Sequence, residues 1–114
     1  MQNGKVVRSG IVKGKVQGVM FRQTFVRALL KYGLEGGATN DPLDSNCVSF
    51  TVCGDEHAIS EILKRLTGVV PLNSWGATVT HLELVTPPIP IEQHQVTTSN
   101  VESFHWTKSV EFFL

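Results

Sequence analysis

The spacing of apolar residues changes period twice along the chain, and this restricts the fold more than any other feature. Across Arg22 to Tyr32, Phe25, Val26, Leu29 and Leu30 fall at helical spacings, and Gly33 stands where a helix would stop. Across Cys47 to Cys53 the period drops to two, with Val48, Phe50 and Val52 on one face of a strand. From Glu56 to Leu66 the helical period returns. Ile59, Ile62, Leu63 and Leu66 form an i, i+3, i+4, i+7 stripe, and Asp55 stands where it can cap the helix. Two helices with one apolar face each, separated by strands, need a sheet on which both can lie.

The flanks supply that sheet. Lys5 to Val16 interleaves apolar residues with Lys and Gly and reads as a strand, and Glu35 to Asn40 reads as a second, weaker one. Asp41 to Asn46 is rich in turn formers, so the second and third strands form a hairpin. Thr78 to Val85 gives a fourth strand, with Thr80, Leu82 and Leu84 on one face. The order β-α-β-β-α-β predicts an α+β, ferredoxin-like sandwich: a four-stranded antiparallel sheet with two helices on one face. Thr86 to Asn100 carries Pro87, Pro88 and Pro90 and reads as the least structured stretch. Residues 87–108 are expected to be a long connection, and residues 109–114 a candidate short fifth strand. With 114 residues the whole chain is expected to form one domain.

Ten basic and ten acidic residues cancel, which argues against nucleic-acid coating and against a polybasic membrane anchor. The charges are unevenly placed, however. Seven basic residues, Lys5 to Lys31, precede the first acid, Glu35, so the first third of the chain is suited to an anion site. No apolar run approaches the ~20 residues that span a bilayer. The opening MQNGKVVRSG has no apolar segment of the kind that follows the basic residues of a secretory signal, so a cytoplasmic location is expected. Cys47 and Cys53 lie six residues apart on one strand, about 20 Å, too far to pair, and read as free thiols. His57, His81, His94 and His105 lack metal-ligand spacing, so no metal or cofactor is expected. The strand CVSFTVC lacks the exposed aromatic pair that stacks RNA bases, and Trp75 and Trp106 read as packing residues.

The chemistry concentrates in Gly14-Lys15-Val16-Gln17-Gly18-Val19-Met20-Phe21-Arg22, which joins a strand to a helix start. Amides at a helix start lack intrahelical acceptors, and the helix dipole adds partial positive charge there. Gly18 lets successive amides converge into an anion nest, and Arg22 adds a guanidinium fork suited to phosphate oxygens. A nucleotide-binding P-loop does not fit, because Val16 follows Gly14-Lys15 where Ser or Thr is needed, and Ser9 stands at the first glycine position.

Gly14 to Arg22 resembles the acylphosphatase signature GxVQGVxFR at every specified position. Gly36-Gly37-Ala38-Thr39-Asn40 is similar to that family's Gly-aromatic-Val-x-Asn, with Gly37 in place of the aromatic and Ala38 in place of Val. Val48 with Gly54, and Ala77-Thr78-Val79, also fit the family pattern, and the likeness covers roughly residues 5–86. The proline-bearing segment after Thr86 is longer than the family's usual last connection.

The resemblance implies metal-independent, cofactor-free hydrolysis of acyl phosphates to a carboxylate and inorganic phosphate. It implies that the backbone amides of Gln17, Gly18, Val19, Met20, Phe21 and Arg22 cradle the phosphoryl oxygens, that Arg22 clamps them, and that Asn40 orients the attacking water. The partners it implies are a small-molecule acyl phosphate and, as inhibitors, phosphate or sulfate, with neither nucleic acid nor membrane involved and the chain acting as a monomer. Since that strand presents Asn40, Gly37 leaves open an alternative: an acylphosphatase-fold anion-binding module with weak catalysis. Chemically the assignment is coherent, because a carboxylate leaving group needs little acid assistance, and positioning and charge stabilisation do most of the work.

Overall fold

A computed structural model of the chain describes residues 5–104 and 109–114. Its elements are β1 (Lys5–Lys15), α1 (Phe21–Lys31), β2 (Glu35–Asn40), β3 (Cys47–Asp55), α2 (Glu56–Gly68), β4 (Thr78–Val85) and β5 (Val96–Thr97). They form one five-stranded sheet in the order β4-β1-β3-β2-β5, with every pairing antiparallel. This is the ferredoxin-like arrangement, with a short fifth strand added beside β2. That strand is Val96–Thr97, within the proline-bearing connection; the expected position at 109–114 carries only an isolated bridge, Asn73 with Phe112.

The period argument locates the core. Val48, Phe50 and Val52 of β3 are buried beneath the helices, and on α1 Phe25 stacks on Phe21 (5.9 Å) and meets Phe50 edge-on (5.6 Å). Ile59, Ile62 and Leu66 of α2 complete the same core. Leu30, expected on the buried stripe, is exposed: Phe25 and Leu29 set the centre of that face, and position 30 lies a further 100° around the helix. In β4 the expected face is also shifted. The pairing with β1 skips a residue between Lys13 and Gly14, so Thr80 bulges outward and Val79, rather than Thr80, enters the core.

Helix ends follow local chemistry. Asp55 accepts a hydrogen bond from the Ala58 amide (3.0 Å) and starts α2. α1 ends in a Schellman turn, in which the Leu34 amide donates to the Leu29 carbonyl (2.8 Å) and the Gly33 amide to that of Leu30 (3.1 Å). The start of α1 has no side-chain cap and no acid in its first turn.

The segment after β4, read as the least structured, is ordered by a polar network on the sheet face that turns away from the helices. The Ile89 amide donates to Ser9 Oγ (2.8 Å), and Thr51 Oγ1 donates to the Ile89 carbonyl (2.8 Å). Thr51 Oγ1 also lies 2.6 Å from Ser9 Oγ and 2.8 Å from His94 Nε2. Having used its one proton on Ile89, Thr51 must accept from both neighbours. His94 therefore carries its proton on Nε2, and Nδ1 accepts from the Thr39 hydroxyl (2.8 Å). Burial lowers the His94 pKa from its ordinary value, in keeping with this neutral tautomer. Gly37 makes the packing feasible, since a Cβ there would lie 2.8 Å from both His94 Cβ and the Val96 carbonyl oxygen. An aromatic at position 37 would displace the segment that covers it.

Beyond β5 the chain turns onto α1, where Gln23 Nε2 donates to the Val101 carbonyl (3.4 Å) and Arg27 pairs with Glu102 (3.4 Å). The final described stretch docks on the loop before β4. The Ser74 amide donates to the Glu111 carbonyl (2.9 Å) and the Phe113 amide to the Leu72 carbonyl (2.8 Å). Cys47 is buried, Cys53 is half-buried, and both are free. Among the described residues no helix is long and apolar enough to cross a membrane. Trp106 and His105 lie outside the described residues.

Candidate active site

The connection between β1 and α1 curls through two left-handed residues, Gly18 (φ 75°) and Met20 (φ 61°). A positive φ suits Gly18; at Met20, the one non-glycine residue with positive φ among those described, it is strained. The curl leaves the amides of Gln17 to Arg22 without an acceptor among the described residues. Unpaired amides at a helix start are costly to bury and ready for an anion.

Two side-chain amides hold this loop from behind. Buried Asn73 donates through Nδ2 to the Val19 carbonyl (2.8 Å) and to Thr24 Oγ1 (2.8 Å), while its Oδ1 accepts from the amides of Trp75 (2.9 Å) and Ala77 (3.2 Å). Gln17 Nε2 faces three carbonyls of the β2–β3 turn, those of Asp41 (3.1 Å), Asp44 (3.1 Å) and Cys47 (2.9 Å). The loop at the start of α1 and the turn beyond Asn40 are thus tied together.

Arg22, in the first turn of α1, and Asn40, at the end of β2, line one cavity of about 280 Å³ with Gly18, Met20, Phe21 and Gln23. Val16, Trp75, Val96 and Phe104 give it apolar walls. Of the residues read as amide donors, Gln17 and Val19 do not line this cavity: Gln17 is engaged with the turn, and Val19 is buried with its carbonyl held by Asn73.

Among the described residues no carboxylate pairs with Arg22, and partial burial lowers its pKa from the ordinary value. One guanidinium nitrogen, Nη1, donates to Gln95 Oε1 (2.9 Å). The Asn40 amide donates to the same oxygen (2.9 Å). The Asn40 side-chain Oδ1 is buried with no partner. The arrangement offers an unneutralised cation and free amides around one space, with Asn40 in its lining.

Sequence reading missed Asn73, Gln95 and the cavity role of Trp75. Asn73 stands in the connection between α2 and β4, and Gln95 lies in the stretch read as least structured. Trp75 is 40% exposed at the cavity rather than packed in the core. An isolated Asn or Gln carries no periodic or spacing signal that would have marked it.

A ferredoxin-like sheet with an amide-rich strand-to-helix loop defines a small α+β sandwich protein. The family model of acylphosphatase matches residues 8–105, and the chain belongs to that family. A crystal structure of acylphosphatase from Bacillus subtilis is similar at 26% identity and a TM-score of 0.57, covering 69% of this chain and 81% of that one. Full-length HypF, in a phosphate- and nucleotide-bound form, is similar in fold at 18% identity and a TM-score of 0.54; 83% of this chain but 12% of that chain is covered. A search of curated proteins gives no match.

Proposed function

We propose that this protein hydrolyses acyl phosphates, cleaving the carboxyl–phosphate bond to give a carboxylate and inorganic phosphate. The observation that carries the reading is the convergence of Arg22, the free amides beside it and the Asn40 side chain on one cavity. In this mechanism the amides and the Arg22 guanidinium bind the phosphoryl oxygens. Their hydrogen bonds strengthen as charge gathers on those oxygens in the transition state. The Asn40 carboxamide hydrogen-bonds a water and aims its oxygen at phosphorus, opposite the carboxylate leaving group. The water's proton passes to a phosphoryl oxygen of the substrate, so no protein base is required, and no covalent enzyme intermediate forms. Because the carboxamide is neutral, it orients the water without repelling the phosphoryl dianion.

Trp75, Val96 and Phe104 offer apolar surface to the acyl group, which favours an aryl or extended alkyl chain over acetyl. Inorganic phosphate and sulfate are expected to inhibit by occupying the cradle. The protein is expected to act as a monomer, and its two free thiols suit a reducing cytoplasm. The alternative of a weakly catalytic anion-binding module gains no support from Gly37, whose missing side chain makes room for the segment over β2 while Asn40 still lines the cavity.

The test is hydrolysis of benzoyl phosphate in the presence of a chelator. Turnover well above buffer, inhibited competitively by phosphate, is the expected result. Turnover at the buffer rate would sink the proposal.

A further inference from the structure

We infer that Gln95 is a positioning residue that fixes the Arg22 guanidinium relative to the end of β2. The inference rests on the proposed role of Arg22 and extends it to a residue outside the cavity lining. Two donors converge on Gln95 Oε1, Arg22 Nη1 at 2.9 Å and the Asn40 amide at 2.9 Å. Both acceptor directions of that oxygen are used, so the carboxamide cannot flip without placing its NH₂ against two donors. Gln95 is itself held by its backbone. Its amide donates to Thr39 Oγ1 (3.0 Å), and its carbonyl accepts from Asn100 Nδ2 (3.3 Å).

The chain of restraint runs further. Thr39 Oγ1 is the hydroxyl that serves His94 Nδ1, so the buried network over the sheet ends one residue from the oxygen that holds Arg22. A long cationic side chain at a helix start has many rotamers, and freezing one of them before the substrate arrives removes an ordering cost from binding. The neutral charge of Gln95 matters as much as its reach. It consumes one of the five guanidinium N–H donors and leaves the positive charge in place, whereas a carboxylate there would pair with Arg22 and compete with an incoming dianion.

The experiment is a double-variant cycle read by inorganic-phosphate affinity and by KM and kcat for benzoyl phosphate. Gln95→Ala should weaken phosphate binding and raise KM by about three- to tenfold, the range of one hydrogen bond. In an Arg22→Gln background the same substitution should change phosphate binding by less than about twofold, because there is no guanidinium left to hold. Gln95→Glu should weaken phosphate binding more than Gln95→Ala does at neutral pH, and acidification that protonates the new carboxyl should restore part of the loss. Equal effects of Gln95→Ala with and without Arg22 would overturn the inference, since they would mark a general structural role. So would unchanged phosphate affinity in Gln95→Ala, or a pH-independent loss in Gln95→Glu. These outcomes leave the proposed hydrolysis standing. Absence of both phosphate binding and hydrolysis in the unmodified protein would overturn the two readings together.

Discussion

Removing the Asn73 carboxamide should damage both the fold and the cradle, and its cost can be worked from four contacts. Asn73→Ala deletes donors to the Val19 carbonyl and Thr24 Oγ1 and acceptors for the Trp75 and Ala77 amides. Two of these losses are cheap. Thr24 keeps its bond to the Met20 carbonyl (2.7 Å), and the Trp75 backbone lies on a residue 40% exposed, so water can serve it. The other two are not, because Ala77 is fully buried and Val19 nearly so. A buried polar group left without a partner costs about 1–3 kcal/mol, which puts the pair at about 2–6 kcal/mol. That is a large part of the roughly 5–15 kcal/mol by which domains are stable. In urea, with m near 2 kcal/mol per M, the midpoint should fall by about 1 M or more. Asn73→Asp should recover only part of the loss: it keeps an acceptor for the Trp75 and Ala77 amides but sets its other carboxylate oxygen against the Val19 carbonyl, acceptor against acceptor. Phosphate should also stabilise the variant less than the unmodified protein, because the Val19 carbonyl anchors the loop whose amides are proposed to bind it. A midpoint within about 0.2 M of the unmodified protein, or full stability in Asn73→Asp, would refute the argument.

Four further outcomes are expected. Arg22→Gln should raise the phosphate inhibition constant and slow benzoyl phosphate turnover together, as measured by steady-state competition. Asn40→Ala should cut turnover on the order of 10²–10³-fold while phosphate still competes, and unchanged turnover would remove Asn40 from the mechanism. Trp75→Ala should lower the preference for benzoyl over acetyl phosphate, read as the ratio of kcat/KM values, by about fivefold or more if the ring contacts the acyl group. His94 is neutral and 6% exposed, with its pKa lowered by burial. The unfolded chain therefore takes up a proton first, as pH falls below about 6.5. Stability should be full above that value and decline from there down to the folded pKa. Urea midpoints from pH 8 to pH 5 should show this acid-side slope, and His94→Gln should flatten it.

What could be read beforehand was whatever repeats. Alternation in β3 and the stripe on α2 are periodic, and both located the core. The nine residues from Gly14 to Arg22 carry a pattern dense enough to mark the loop, and Asn40 followed from the same resemblance. Three features escaped for physical reasons. The Thr80 bulge shifts the facing of β4 by one residue, and no side-chain pattern announces it. The segment through Ile89 and His94 is held by hydroxyls and one imidazole rather than by an apolar stripe, so polar composition concealed an ordered structure. Gln95 and Asn73 act through single carboxamides whose partners lie 55 and 54 residues away in sequence, at Asn40 and Val19. Gly37 departed from the family pattern for a reason visible only once His94 was seen against it.

The clasp between Gln17 and the carbonyls of Asp41, Asp44 and Cys47 bears on how this scaffold can be engineered. A polar surface hairpin tip would ordinarily be the first choice for grafting an epitope or an affinity peptide. Here an insertion between positions 41 and 47 would prise apart the acceptors that one amide nitrogen gathers, and the disturbance would travel directly to the loop between β1 and α1. The exposed stretch of α2 around Ser60 and Glu61, distant in sequence from every residue of that clasp, is the safer place for a label or tether.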